Sequence, residues 1–161
     1  MAGRAVKILV AYLSPSRTLI ISDLSACFCG GLPALRAGDL NVKHMDWNSR
    51  LITRRGKLSG EYTNQTSCFT YGPDTTTINA FNPSATCDVL DIVITKHLAS
   101  PVHLTSCSAM SLDHLLVLIN MTCPSFFHPT ALISGALTGP HSRLAWKIVF
   151  CPIENHMTID T

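Results

Sequence analysis

The chain has 161 residues, of which 47% are apolar and 14% charged, and its formal net charge is +2. That length suits one domain, and so apolar a chain can bury a real core, which excludes an intrinsically disordered segment. The weak positive charge permits contact with nucleic acid but does not by itself argue for it.

Residues 5–13 read AVKILVAYL. This β-branched, apolar run predicts a strand buried on both faces. Ser14-Pro15-Ser16 stops it, and Ser16 is an N-cap for a helix expected from about Arg17 to Cys29. Leu19, Ile20, Leu24 and Cys27 recur there at helical spacing, with Asp23 toward solvent, and Gly30-Gly31 ends the helix. Leu32 to Ala37 is the second strand, so the opening reads as a parallel, right-handed βαβ unit. It feeds into Gly38-Asp39-Leu40-Asn41 and then a polar loop anchored by Trp47.

The later part of Ser49 to Asn64 reads as a helix interrupted at Gly56 and Gly60. Cys68 to Tyr71 is a short strand, and Gly72 to Cys87 is a loop rich in Thr, Asn and Pro. Asp88 to Thr95 alternates as a strand with Val89, Ile92 and Ile94 partly inside. Val102 to Cys107 is another strand, Ser111 to His114 a polar turn, and Leu115 to Met121 a final core strand.

Seven scattered cysteines, without a C-x-x-C pair, indicate neither a disulfide framework nor a zinc module. They read as small buried thiols in a reducing compartment. A metal-binding module built on these cysteines and the seven histidines has no ligand spacing in its favour. The sequons at Asn64 and Asn120 follow no signal peptide and read as chance matches. The apolar run Ile8 to Leu13 is too short for a signal core, and no stretch approaches the roughly 18 residues that span a bilayer. The expectation is a soluble protein, nuclear or cytoplasmic and not secreted, with no membrane partner and no small-molecule cofactor.

Three acidic or His-containing motifs sit at strand ends, where open α/β sheets place their ligand sites. They are Gly38-Asp39-Leu40-Asn41, Asp91 in its strand, and Asp113-His114. Each alone has a plain structural reading: an Asx-turn at a strand end, a hydrogen-bonded buried carboxylate, a solvated turn. Their order and spacing together are far more specific. With Tyr12 on the first strand, they resemble the endonuclease/exonuclease/phosphatase superfamily. The wider text resembles most closely the endonuclease domain of jockey-type non-LTR retrotransposons, through Tyr12–Arg17, Ala37–Arg50, Tyr71–Lys96 and Ser100–Ile119.

The resemblance implies an α/β fold, part of a two-sheet α/β sandwich of the DNase I-like type. It implies Mg²⁺-dependent (or Mn²⁺-dependent) hydrolysis of a phosphodiester, here nicking of DNA to prime reverse transcription. Such chemistry needs a nucleophilic water, a base, a cation for the phosphate charge and a donor for the leaving oxygen. His114 matches the family's base or electrostatic stabiliser, and Asp91 the carboxylate that orients it. Asp113, beside His114 in sequence, points away from it in an extended segment and matches the metal ligand. Asp39 matches the carboxylate that positions or protonates near the phosphate, Asn41 the amide that hydrogen-bonds a phosphate oxygen, and Tyr12 the phenol that contacts it. Arg50, Arg54 and Arg55 are candidates for DNA backbone contact, or equally a solvated helix face.

This sequence departs from the family pattern in three ways. Residues 1–11 hold no Asp, Glu or Asn, so the family's early Asn and metal-binding Glu are missing. The expectation is a domain truncated at its amino end, with weak metal binding. Leu112 and Leu116 stand where the family usually has Ser and Pro around Asp-His. After about His128 the resemblance stops, and a frameshift is the expected origin of the tail. Residues 1–123 are thus read as the carboxyl-terminal part of the nuclease domain and 124–161 as a divergent tail, with the family's reverse transcriptase domain absent. The competing reading is a non-catalytic relic of a decayed mobile element, with at most weak nucleic-acid binding.

Overall fold

A computed structural model of the chain describes residues 6–78, 86–107 and 115–121. The turn expected at 111–114, with Asp113 and His114, and the tail from 124 lie outside the described residues.

The chain runs β1 (Lys7–Val10), α1 (Ile21–Cys27), β2 (Ala34–Asp39), a 3₁₀ turn (Met45–Trp47), α2 (Arg54–Gln65), β3 (Cys68–Tyr71), β4 (Asp91–Lys96), β5 (Val102–Cys107) and β6 (Leu116–Met121). Four strands form one sheet in the order β1-β2-β4-β3, and β5 and β6 form a second. β1 and β2 are parallel neighbours joined through α1, as the opening pattern predicts, while β4 runs antiparallel to β2 and β3. The result is a two-sheet α/β sandwich.

Two cores explain why both faces of the central strands are apolar. On one face, Ile92 and Ile94 of β4 pack with Leu24, Phe28, Trp47 and Tyr62 from the helical side. On the other, Leu35, Ala37 and Val93 pack against Val102, Leu104, Val117, Ile119 and Met121 of the second sheet. Each fully buried Leu, Ile or Val contributes about 1.5–3 kcal/mol relative to exposure.

Several expectations need correction. β4 does not alternate: Asp91 through Thr95 are all buried, because a central strand is covered on both faces. Its first three expected residues, Asp88 to Leu90, stand outside the ladder. Conversely, β1 is an edge strand among the described residues, with Ile8 38% exposed rather than buried. α1 begins at Ile21, not near Arg17. Arg55 reaches over from α2, and its Nη2 donates to the carbonyls of Ser14, Pro15 and Arg17. Those carbonyls are thereby drawn away from a helical ladder, and Ser16 lies in a turn. The start of α1 is closed instead by Asp23, whose Oδ2 accepts from the Ile20 N–H at 3.2 Å.

α2 is continuous through both glycines. It is capped by Thr53, whose hydroxyl accepts from the Gly56 N–H at 3.1 Å. Gly56 marks close packing rather than a break: a Cβ there would lie 1.7 Å from the Lys43 carbonyl oxygen. Among the described cysteines all are free, but only Cys68 is buried and Cys29 is exposed, so the reading of small buried thiols holds at one position. No helix among the described residues is long and apolar enough to cross a membrane.

Candidate active site

β1 and β2 are parallel, and β3 runs with them because both β2 and β3 oppose β4. Tyr12, the Gly38–Asn41 turn, Tyr71 and the start of β4 therefore share one end of the first sheet. β5 ends at Cys107 and β6 begins opposite it at Leu116. Both flanks of the connection containing Asp113 and His114 reach that same end, because the Leu115 N–H donates to the Thr77 carbonyl at 2.8 Å.

The Gly38–Asn41 segment shows why those residue types stand there. Gly38 has φ +144°, and a Cβ would lie 1.8 Å from the Ala11 carbonyl oxygen, so the chain just after β1 approaches more closely than a side chain permits. Its backbone continues the pairing, with Ala11 N–H to Ala37 O at 2.9 Å and Leu13 N–H to Asp39 O at 2.8 Å. Asp39 Oδ1 accepts from the Asn41 N–H at 2.7 Å, which makes the Asx-turn. Asn41 occupies the left-handed region at φ +49°, which Asn tolerates. Its Nδ2 donates to the Leu13 carbonyl at 2.9 Å, and the amide's second proton has no acceptor among the described residues.

Asp39 is the last residue of β2 and pairs directly with Asp91, the first of β4. Opposed residues of an antiparallel ladder share a face, with Cβ atoms about 4.5–5.5 Å apart. By alternation from Ala37 and Val93, both lie on the face toward the second sheet. Each is 2% exposed. Tyr12 is 46% exposed. Because Ala11 and Leu13 pack on the helical side, alternation puts Tyr12 on the side of Asp39 and Asp91.

Beside this pair lies a second polar group that the sequence did not announce. Thr77 is fully buried, and its Oγ1 accepts from the N–H groups of Leu90 at 2.9 Å and Asp91 at 3.2 Å. Its own N–H donates to the Asp88 carbonyl at 2.9 Å. The Asp88 side chain meets Lys43 Nζ at 2.7 Å and accepts from the N–H groups of Arg50 at 3.0 Å and Val89 at 2.9 Å. Burial pushes the Asp88 carboxyl up. Its hydrogen bond with Lys43 and the two backbone N–H groups outweigh that and hold it below its ordinary value. Ser49 Oγ donates to the Val89 carbonyl at 2.9 Å, so the loop after β2 is pinned to the approach of β4. Trp47, expected as an anchor, is 1% exposed, and His44 packs against it with ring centroids 4.8 Å apart.

Of the basic residues, Arg50 and Arg54 are exposed, whereas Arg55 is engaged with the 14–17 turn as described. Thr77 carries no sequence signal, since it lies among three consecutive threonines in a stretch without periodicity.

The oxygen donors of Asp39, Asp91 and Asn41 suit a hard cation chemically. Yet no three His, Cys, Asp or Glu side chains converge to hold a metal among the described residues, so these residues do not by themselves build a cation cage.

A sequence model of a family described as endonuclease-reverse transcriptase matches residues 6–118. That span holds Tyr12, Asp39, Asn41, Asp91, Asp113 and His114. No curated protein and no solved structure matches the chain. With most of its length matched, the chain belongs to the endonuclease-reverse transcriptase family and, through it, to the endonuclease/exonuclease/phosphatase superfamily.

Proposed function

We propose that this chain is part of a DNA endonuclease of the jockey type, hydrolysing a phosphodiester to nick target DNA for retrotransposition. The observation that supports it most is the facing pair Asp39 and Asp91, at the sheet end shared by Tyr12, Asn41 and the residues flanking the 108–114 connection.

In this reading Asp91 orients His114, whose imidazole then takes the proton of the attacking water or steadies the charge that develops. Asp39 holds or passes a proton near the phosphate. Asn41 offers its remaining amide proton to a phosphate oxygen, and Tyr12 its phenol. Mg²⁺ or Mn²⁺ belongs to the proposal through Asp113, with weak binding, and would neutralise phosphate charge when bound. The exposed Arg50 and Arg54 are the residues free to meet the DNA backbone. A nucleus or cytoplasm is the compartment this activity requires.

One observation favours the second reading, a non-catalytic relic. Arg36 is 6% exposed in the middle of β2, and its Nε and Nη1 have no hydrogen-bond partner among the described residues. A buried charge so placed costs stability that an enzyme under selection has no reason to lose.

The test is nicking of supercoiled plasmid by the purified chain with Mg²⁺, Mn²⁺ or EDTA, beside a His114→Ala control. Metal-dependent nicking lost in the control is the expected result. A folded chain that does not nick establishes the relic.

A further inference from the structure

We propose that Thr77 is a positioning residue of this site, coupling the start of β4, which carries Asp91, to the chain that follows His114. The inference rests on the nuclease reading and adds a residue to it.

Thr77 commits its N–H, its carbonyl and its hydroxyl oxygen to this junction. Its N–H goes to the Asp88 carbonyl at 2.9 Å, and its hydroxyl oxygen takes the N–H groups of Leu90 and Asp91. Its carbonyl takes the N–H of Leu115 at 2.8 Å. A hydroxyl oxygen has two lone pairs, and both are used. Thr77 is fully buried, so water cannot replace these bonds without a rearrangement.

The consequence is geometric. The hydroxyl fixes the backbone nitrogen of Asp91, and the carbonyl of the same residue fixes the nitrogen that follows His114. Asp91 and Leu115 come from segments far apart in the chain, and one buried residue holds the backbone nitrogen of both. Registry between such partners matters steeply, because a misplacement of about 1 Å can cost on the order of 100-fold in rate. Thr77 touches no reacting atom in this account and acts only through Asp91 and the chain beside His114.

The junction is also tied from outside. Asp88, whose carbonyl receives the Thr77 N–H, is held by Lys43 and by the Arg50 N–H. Thr75 and Ser106 share a hydrogen bond between their hydroxyls, which joins the same loop to β5. Thr77 therefore sits in a supported segment, able to transmit position.

Thr77→Val keeps the side-chain shape and removes the acceptor, and Thr77→Ser restores the acceptor. The experiment is amide hydrogen exchange by NMR on the whole chain, paired with nicking kinetics. In Thr77→Val the amides of Leu90, Asp91 and Leu115 should all exchange at least about tenfold faster, and Thr77→Ser should recover their protection. Nicking should lose about 100-fold in kcat with KM held, again recovered by Ser. Faster exchange at Leu90 and Asp91 with Leu115 unchanged overturns the coupling, as does wild-type turnover in Thr77→Val. If the wild-type chain does not nick, the nuclease reading fails by itself, and exchange at Leu115 alone decides the role of Thr77. If Thr77→Val does not fold, wild-type exchange decides it: the three amides should open at a common rate, and independent openings overturn the proposal.

Discussion

Asp39 and Asp91 stand directly opposite each other as the last pair of the β2–β4 ladder, both almost wholly buried. Asp91→Asn keeps the size of the side chain and removes its carboxylate, so plasmid nicking should fall by about 100-fold or more. Asp39→Asn should behave alike in nicking but lower the melting temperature slightly, because Asp39 also caps the turn at Asn41. Melting curves beside nicking rates check both; a rate unchanged in either variant removes that residue from the site.

The two glycines of α2 should respond oppositely to alanine. At Gly60 the nearest atom to a new Cβ is 3.6 Å away, an ordinary contact, so Gly60→Ala should stabilise by about 0.5–1 kcal/mol through helix propensity. At Gly56 the Cβ would meet the Lys43 backbone, so Gly56→Ala should destabilise by about 2–4 kcal/mol. Urea denaturation of the two variants gives the comparison.

Arg36 should be replaceable with profit. Its guanidinium lies on the helical face of β2, near Cys27 and Asp23, and burial lowers its pKa more than those two groups raise it. Arg36→Met keeps the bulk and removes the buried charge, and should raise the free energy of unfolding by about 1–4 kcal/mol. A decrease in the denaturation midpoint would mean that the guanidinium is satisfied in solution.

Asp88 should make the chain acid-sensitive. Its carboxyl is held below the ordinary value of 3.8, so its contribution is complete above that value and is lost as pH falls through the lower folded value. Asp88→Asn should flatten that part of the stability profile, measured by melts from about pH 7 to about pH 2.5. Lys43→Met should cost about 1–3 kcal/mol near neutral pH, since Asp88 then keeps only its backbone donors.

How much was legible depended on how far each residue's partner lies along the chain. The Gly38–Asn41 turn was readable because its interactions are local: Asp39 caps Asn41 two residues on, and Asn tolerates the left-handed backbone. The bounds of β3 and β5 coincide with the expected Cys68–Tyr71 and Val102–Cys107, since both are short apolar or alternating runs between turn signals. The late start of α1 was not readable, because it depends on Arg55 reaching the carbonyls of Ser14, Pro15 and Arg17 across the fold. Thr77 was invisible for the same reason.

By itself, then, the sequence determined the strand and helix content, the parallel opening unit and the family, because periodicity and short motifs are written in neighbouring residues. Only the tertiary structure decided that, among the described residues, β1 lies at an edge and β4 at the centre, two apolar runs that read alike in one dimension. It alone brought Asp39 opposite Asp91 and hung both the start of β4 and the chain after His114 on Thr77. The physical reason is that hydrogen-bond ladders and buried polar junctions are made between segments distant in the chain, and their geometry exists only once the two sheets have packed.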